Sequence, residues 1–351
     1  MQKVDHIFHY PNDFALEAGG TLSGFQLKYT TLGRLNASRD NVIWVCHALT
    51  GNSDPTSWWG GFFDEGGPFD PGDFFVVCAN SLGGCYGSTG PLSLNPKNGR
   101  PFYHDFPLLT NRDIVRAFDL LREKLNLQQI HTLMGGSLGG QQVLEWAIQR
   151  PDVFQYIIPM ASNAVHSPWG IAFNEAQRMA IAADATWKEN DARAGIEGMK
   201  AARAFGMISY RAYQTFAETQ AEKNSDKLDD FRASSYQRYQ GQKLANRFNA
   251  FTYWTLSKAM DSHHVGRGRE SVAKALSTIQ AKTLVIGIEN DVLFPLSEQQ
   301  FLADSITGAK LEVLISRYGH DGFLAEVEPL KEIVKKLIGA EAFALYDKKK
   351  S

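Results

Sequence analysis

The sequence predicts an α/β fold, a mostly parallel central sheet flanked by helices, with an inserted helical lid. Three observations carry that expectation. Short apolar runs of strand length recur at Val42 to Cys46, Phe74 to Ala79, Ile130 to Met134, Tyr156 to Met160, Thr283 to Ile288 and Leu311 to Ile315. Helical patterns lie between several of them, for example Arg112 to Leu125 and Leu138 to Gln149, the alternation of a parallel sheet covered on both faces. The alternation then stops between about Ser167 and Gly268 and resumes at Thr283, as it would if a helical insertion interrupted one sheet.

Each element follows from its residues. The apolar runs are four to eight residues long, right for strands buried on both faces and short for helices. Within the insertion, Ala, Glu, Gln, Lys and Arg dominate. Glu197 to Phe205, Tyr210 to Ala221 and Lys243 to Met260 read as helices, with Asn224 to Asp230 a polar break. The expected organisation is a core of residues 1–166 and 269–351 with a lid of residues 167–268.

Composition narrows the function classes. The chain has 351 residues, 44% hydrophobic and 21% charged, and a formal net charge of -2. These values fit a globular protein and argue against a broad nucleic-acid footprint, which needs a basic patch. The Lys348, Lys349, Lys350 run reads as a solvated tail. Met1 to Tyr10 carries His and Asp where a signal peptide needs apolar residues, and no apolar run approaches the roughly 18 residues of a membrane span. Cys46, Cys78 and Cys85 are an odd number without a CxxC spacing, so neither a disulfide framework nor a zinc site is expected. A reducing, cytoplasmic setting without membrane association is the expectation.

The chemistry centres on Gly135-Gly136-Ser137-Leu138-Gly139-Gly140, which follows an apolar run and opens a helical pattern. A Gly-x-Ser-x-Gly at that junction is a tight strand-to-helix turn that exposes a nucleophilic serine, the elbow of the α/β-hydrolase fold. A serine hydroxyl needs a base to remove its proton and a carboxylate to orient that base. In this fold the order is Ser, acid, His, the last two on loops after late strands. Asp291 follows the Thr283 run and His320 follows the Leu311 run, so both fit. Among the nine histidines His320 alone lies after the final strand, and the competing acid Asp261 precedes a strand rather than following one.

A tetrahedral intermediate needs donors for its oxyanion. The amide of Leu138, after the nucleophile, is one. His47-Ala48-Leu49-Thr50-Gly51 follows the first strand, making Leu49 N–H the natural second. His47 itself reads as a structural polar group. Trp58 and Trp59 either line a substrate channel or are buried packing.

Spacing leads to serine-dependent acyl chemistry and does not separate hydrolysis from transfer. The chain resembles, over nearly its whole length, the homoserine O-acetyltransferase family of methionine biosynthesis. The residues that carry the resemblance are His47 to Gly51, Cys78 to Pro91, Gly135 to Gly140, Leu144-Glu145-Trp146, Ile208-Ser209-Tyr210-Arg211, Asp291 to Pro295 and Gly319 to Leu324. The resemblance implies transfer of acetyl from acetyl-CoA, as co-substrate, through acyl-Ser137 to the hydroxyl of L-homoserine. It implies no metal and no tightly bound cofactor. Arg211 looks like the family's carboxylate-binding Arg and Asp321 like its amine-binding acid; the alternatives are a helix-surface Arg and an acid that fixes the His320 turn. The family often forms homodimers through its lid helices, and the same is expected here.

The resemblance loosens at Phe248 to Tyr253, where Asn249 stands for an acid and Phe251 for an amide, and across Thr186 to Asp230. Relatives with the same triad use succinyl-CoA or accept serine. A serine esterase, and a non-catalytic binding protein on the same fold, are the rivals from other classes.

Overall fold

A computed structural model describes residues 3–336. Eight strands form one sheet: β1 (Lys3–Ala15), β2 (Thr21–Leu32), β3 (Val42–Cys46), β4 (Phe75–Ala79), β5 (Ile130–Gly136), β6 (Phe154–Met160), β7 (Lys282–Ile288) and β8 (Lys310–Leu314). Their spatial order is β1-β2-β4-β3-β5-β6-β7-β8. The six strands from β3 onward are mutually parallel, and the β1–β2 hairpin joins the β4 edge antiparallel.

Alternation along each strand divides the core in two. In β3, Trp44 and Cys46 pack into the layer that holds Val77, Leu133, Trp146, Ile157 and Val285. Ile43 and Val45 face the other layer, with Val76, Met134, Ile158, Ile286 and the aromatic group of Trp59, Phe62, Phe69 and Phe323. Both faces being covered is why the central strands read as unbroken apolar runs.

The helices include α1 (Asn111–Lys124), α2 (Leu138–Gln149), α3 (Pro168–Ala182), α4 (Ile196–Tyr210), α5 (Tyr213–Gln220), α6 (Arg232–Ala245), α7 (Ala250–Asp261), α8 (Val272–Leu276), α9 (Leu296–Ser305) and α10 (Gly322–Ala325). Helix α1 starts at a reciprocal Thr110–Asp113 capping box. Helices α3 to α7 all lie between β6 and β7. The lid is pinned by a buried group in which Arg178 of α3 donates to Asp261 and Ser257 of α7, while Asn174 also donates to Asp261. Asp261 is therefore a lid anchor.

Three elements differ from the expectations. The β1–β2 hairpin has no counterpart among the expected strands. Lys243 to Met260 is two helices: Asn249 is extended and its side chain accepts from Thr252 N–H, which starts α7 and ends the path of α6. The helix expected from Tyr210 begins only at Tyr213, because Arg211 is extended at the end of α4. The Lys348 to Lys350 tail, and the end of the core expected to run to 351, lie outside the described residues.

Candidate active site

The site is built where β5 meets α2. Ser137 has φ 57° and ψ -123°, a conformation costly for any residue with a Cβ, and the turn presents its hydroxyl above the sheet. The turn closes tightly because Gly139 lies against the Cys46 carbonyl; a methyl group there would fall well inside contact distance of that backbone oxygen. Ser137 N–H donates to Met160 O at 3.0 Å, which ties the elbow to β6.

The three residues expected to act together are brought together. His320 Nε2 lies 2.9 Å from Ser137 Oγ, and His320 Nδ1 lies 2.6 Å from Asp291 Oδ2. Asp291 is held in turn: its Oδ1 accepts from Leu293 N–H at 2.8 Å and Phe294 N–H at 2.9 Å. Burial disfavours the imidazolium of His320, but the charge of Asp291, its hydrogen bond and the charge of Asp321 together outweigh burial and hold the base above its ordinary value. The ring is fixed by Phe294, stacked at 5.1 Å, by the edge of Phe323 at 5.5 Å and by Tyr210 at 5.8 Å.

Gly319 explains how the lid meets this base. It has φ +64°, and a Cβ on it would lie 2.7 Å from Ala212 N, so the His320 turn rests directly on the backbone that joins α4 to α5.

The two expected oxyanion donors, Leu49 and Leu138, both lie beside the nucleophile. Leu138 is the first residue of α2, whose opening N–H groups have no intrahelical acceptor. Leu49 lines the cleft above Ser137, in a turn closed by Gly51 N–H to Ala48 O at 2.8 Å. His47 holds that turn: its Nδ1 meets Ala48 O at 2.8 Å and its Nε2 accepts from Ser81 N–H at 3.0 Å. Burial lowers its pKa, which suits a neutral structural histidine.

A cleft opens above Ser137. Besides Ser137 and His320 its walls include Trp58, Arg203, Tyr210, Arg247 and Asp321. Of the tryptophan pair, then, Trp58 faces the cleft and Trp59 is fully buried in the core. Asp321 is on the wall as expected. Arg211 is not: it lines a separate hollow with Thr215, Tyr236 and Tyr318, and its Nε sits 3.2 Å from Asp321 Oδ2. Opposite charge thus brings Arg211 beside Asp321, the other residue expected to meet the acceptor.

Asn249 and Phe251 do not line the cleft either. Asn249 caps α7, and Phe251 packs with Tyr103, His104 and Trp187 around another hollow. Sequence reasoning missed Arg203, Arg247 and Phe294. Phe294 was within reach, three residues after the acid; nothing in the pattern around the two arginines sets them apart from surface helix residues.

The family model for the alpha/beta hydrolase fold matches residues 41–327. A homoserine O-acetyltransferase from Cyclobacterium marinum is 51% identical over 335 residues, covering 95% of each chain. The crystal structure of homoserine O-acetyltransferase from Bacillus anthracis superposes with a TM-score of 0.90 at 23% identity, covering 96% of this chain and 98% of that one. An acetylester hydrolase from Corynebacterium glutamicum superposes with a TM-score of 0.83 at 21% identity, covering 96% of each. At such identities the two superpositions establish the fold alone, which transferases and hydrolases share. The sequence relationship goes further, and on it the chain belongs to the homoserine O-acetyltransferase family, built on the alpha/beta hydrolase fold.

Proposed function

We propose that this protein transfers an acetyl group from acetyl-CoA to the hydroxyl of L-homoserine through an acetyl-Ser137 intermediate, giving O-acetyl-L-homoserine for methionine biosynthesis. The observation that carries the mechanism is the continuous hydrogen-bonded chain from Ser137 through His320 to Asp291 at the floor of a walled cleft. His320 Nε2 takes the Ser137 proton as Oγ attacks the thioester carbonyl. The N–H groups of Leu49 and Leu138 hold the oxyanion. Collapse breaks the C–S bond, and His320 returns the proton to the departing CoA thiolate. Homoserine then enters, His320 takes its hydroxyl proton, and attack on the acetyl carbonyl releases the ester and restores Ser137.

Asp321 is the ammonium partner of the acceptor and Arg211, paired with it, the carboxylate partner. No tightly bound cofactor is required, since proton transfer and the oxyanion site supply the catalysis. The lid limits access of water to the acyl-enzyme. The lid also supports a homodimer: Phe205, Ile208, Tyr213, Leu228, Phe231 and Tyr239 are large apolar or aromatic residues exposed on or between α4, α5 and α6. Light scattering of the wild type and of a variant with charged residues at Ile208 and Tyr213 tests that assembly; a monomeric wild type refutes it. Three free cysteines fit a reducing, cytoplasmic setting. Among the described residues, no helix is long and apolar enough to cross a membrane.

The decisive experiment is intact-protein mass after mixing with acetyl-CoA, then after adding L-homoserine, with Ser137→Ala as control. Gain of one acetyl group on wild type alone, discharged into O-acetylhomoserine, is the expected result. Acylation only by succinyl-CoA would change the donor, discharge preferentially to serine would change the acceptor, and discharge to water irrespective of acceptor would make the protein an esterase.

A further inference from the structure

The two expected oxyanion donors belong to different elements: Leu138 opens α2, whereas Leu49 sits in the turn after β3. They can serve one oxygen only if the Leu49 N–H is held in a fixed direction relative to α2. That N–H shares a planar peptide with Ala48 O, and in a trans peptide the two groups point opposite ways. Whatever fixes the Ala48 carbonyl therefore aims the Leu49 N–H.

Ala48 O is fixed twice. Gly51 N–H donates to it at 2.8 Å, closing the turn, and His47 Nδ1 lies 2.8 Å from it. The direction of the second contact follows from the other side of the ring. Ser81 N–H meets His47 Nε2 at 3.0 Å, and a backbone N–H can only donate, so Nε2 is the bare acceptor. Burial keeps the imidazole neutral, which leaves its single proton on Nδ1, where it is donated to Ala48 O.

Ser81 carries the connection on to α2. Its Oγ lies 3.3 Å from the same Nε2 and accepts from Gln142 Nε2 at 3.3 Å, and Gln142 is fully buried on the helix that Leu138 opens. The chain Gln142–Ser81–His47–Ala48 thus ties the second donor to the helix that carries the first. Gly51 leaves the turn little slack, since a Cβ there would lie 2.9 Å from His47 Cβ.

We propose that His47 is a positioning residue for the reaction: by donating Nδ1–H to Ala48 O it aims the Leu49 N–H at the oxyanion in both half-reactions. The assignment rests on the reading of the site as a serine acyltransferase in which Leu49 is an oxyanion donor.

The test compares two substitutions in the full-length enzyme. His47→Asn keeps a donor where Nδ1 stood and loses the acceptor for Ser81 N–H; His47→Gln keeps an acceptor near Nε2 and loses the donor to Ala48 O. Each forfeits one contact of the ring, so a merely structural histidine would make the two equally poor. The saturating rates of Ser137 acetylation by acetyl-CoA and of discharge onto L-homoserine are measured for both. His47→Gln should slow both steps by about 10- to 100-fold, with half-saturating concentrations within about threefold of wild type, whereas His47→Asn should stay within about fivefold in both steps. The acid limb of acylation, set by His320, should not move in either variant. Equal losses in the two variants, a loss confined to one half-reaction, or a shifted limb overturns the assignment. If His47→Gln does not fold, wild type labelled with [15N]histidine decides: the two-bond 1H–15N spectrum, with His47 identified by the signal that His47→Asn lacks, should show the proton on Nδ1, and a proton on Nε2 overturns the assignment. Failure of the acyltransferase reading is distinct: wild-type acetyl-enzyme would then discharge at one rate with or without homoserine, while acetylation by p-nitrophenyl acetate would still compare the two variants.

Discussion

Asp291 joins two tasks with its two carboxylate oxygens: Oδ2 meets His320 Nδ1 at 2.6 Å, while Oδ1 receives the N–H groups of Leu293 and Phe294. The backbone pair fixes the carboxylate, and the carboxylate fixes the tautomer and charge preference of the base. With Nδ1 as donor, Nε2 is left free to accept the Ser137 proton.

The sign of the resulting pH dependence can be worked out. His320 must be neutral to act as a base, and Asp291 holds its pKa above the ordinary 6.5, so acylation should fall as pH drops through a value above 6.5. Asp291→Asn removes the two larger raising influences and leaves burial, which lowers the pKa, opposed only by the charge of Asp321. The acid limb should move downward, below its wild-type position, and the plateau should drop by about a thousand- to ten-thousand-fold. Acylation rates between pH 5 and 9 measure both; an unmoved limb would show that another group sets it.

Gly139 should tolerate no side chain. The Cβ of Gly139→Ala would press on the Cys46 carbonyl, which immediately precedes the His47 to Gly51 turn. Relief requires α2 to move away from β3, separating Leu138 from Leu49. Loss of about 1 to 3 kcal/mol of stability is expected, with a larger proportional loss of acylation. Urea unfolding and the acylation rate check the pair, and a stable, fully active variant would contradict the close approach.

Asp261 anchors the lid and takes no part in proton transfer. Asp261→Ala removes one of the two carboxylates on Arg178, a residue only 3% exposed, and leaves the more exposed Glu175 as its remaining counter-charge. The cost should be about 1 to 3 kcal/mol, read by denaturant unfolding. Hydrogen exchange should rise first in α3 and α7; a rise centred on β7 instead would place its role elsewhere.

Glu298, near the start of α9, should make stability depend on pH near neutrality. Burial pushes its carboxyl up to about 7, against an opposing hydrogen bond from Asn163 Nδ2 at 2.9 Å. A folded-state pKa above the unfolded value of 4.5 gives stability that is present below pH 4.5 and lost as pH rises through about 7. Glu298→Gln keeps an acceptor for Asn163 and removes the titration. Relative to wild type its Tm should therefore be higher at pH 8 than at pH 5, and a pH-independent difference would refute the account.

Strands β3 to β7 were legible because each is buried on both faces, and a doubly buried strand writes an apolar run directly into the sequence. Ser137, Asp291 and His320 were legible because this fold places nucleophile, acid and base at the ends of successive strands. The β1–β2 hairpin was not, since β1 is largely exposed at the sheet edge, includes Pro11 and shifts register between Tyr10 and Asp13. That breaks the two-residue period on which a half-buried strand is recognised.

The sequence by itself determined the family, the order of the elements and the three residues of the proton-transfer chain, because these depend on local pattern and chain order. Which arginines line the cleft was decided only in three dimensions. Arg203 and Arg211 are eight residues apart, separated by the end of α4, and long flexible side chains take their direction from what they meet in space. Asp321 pairs with Arg211, while Arg203 lines the cleft against the ring of Tyr210.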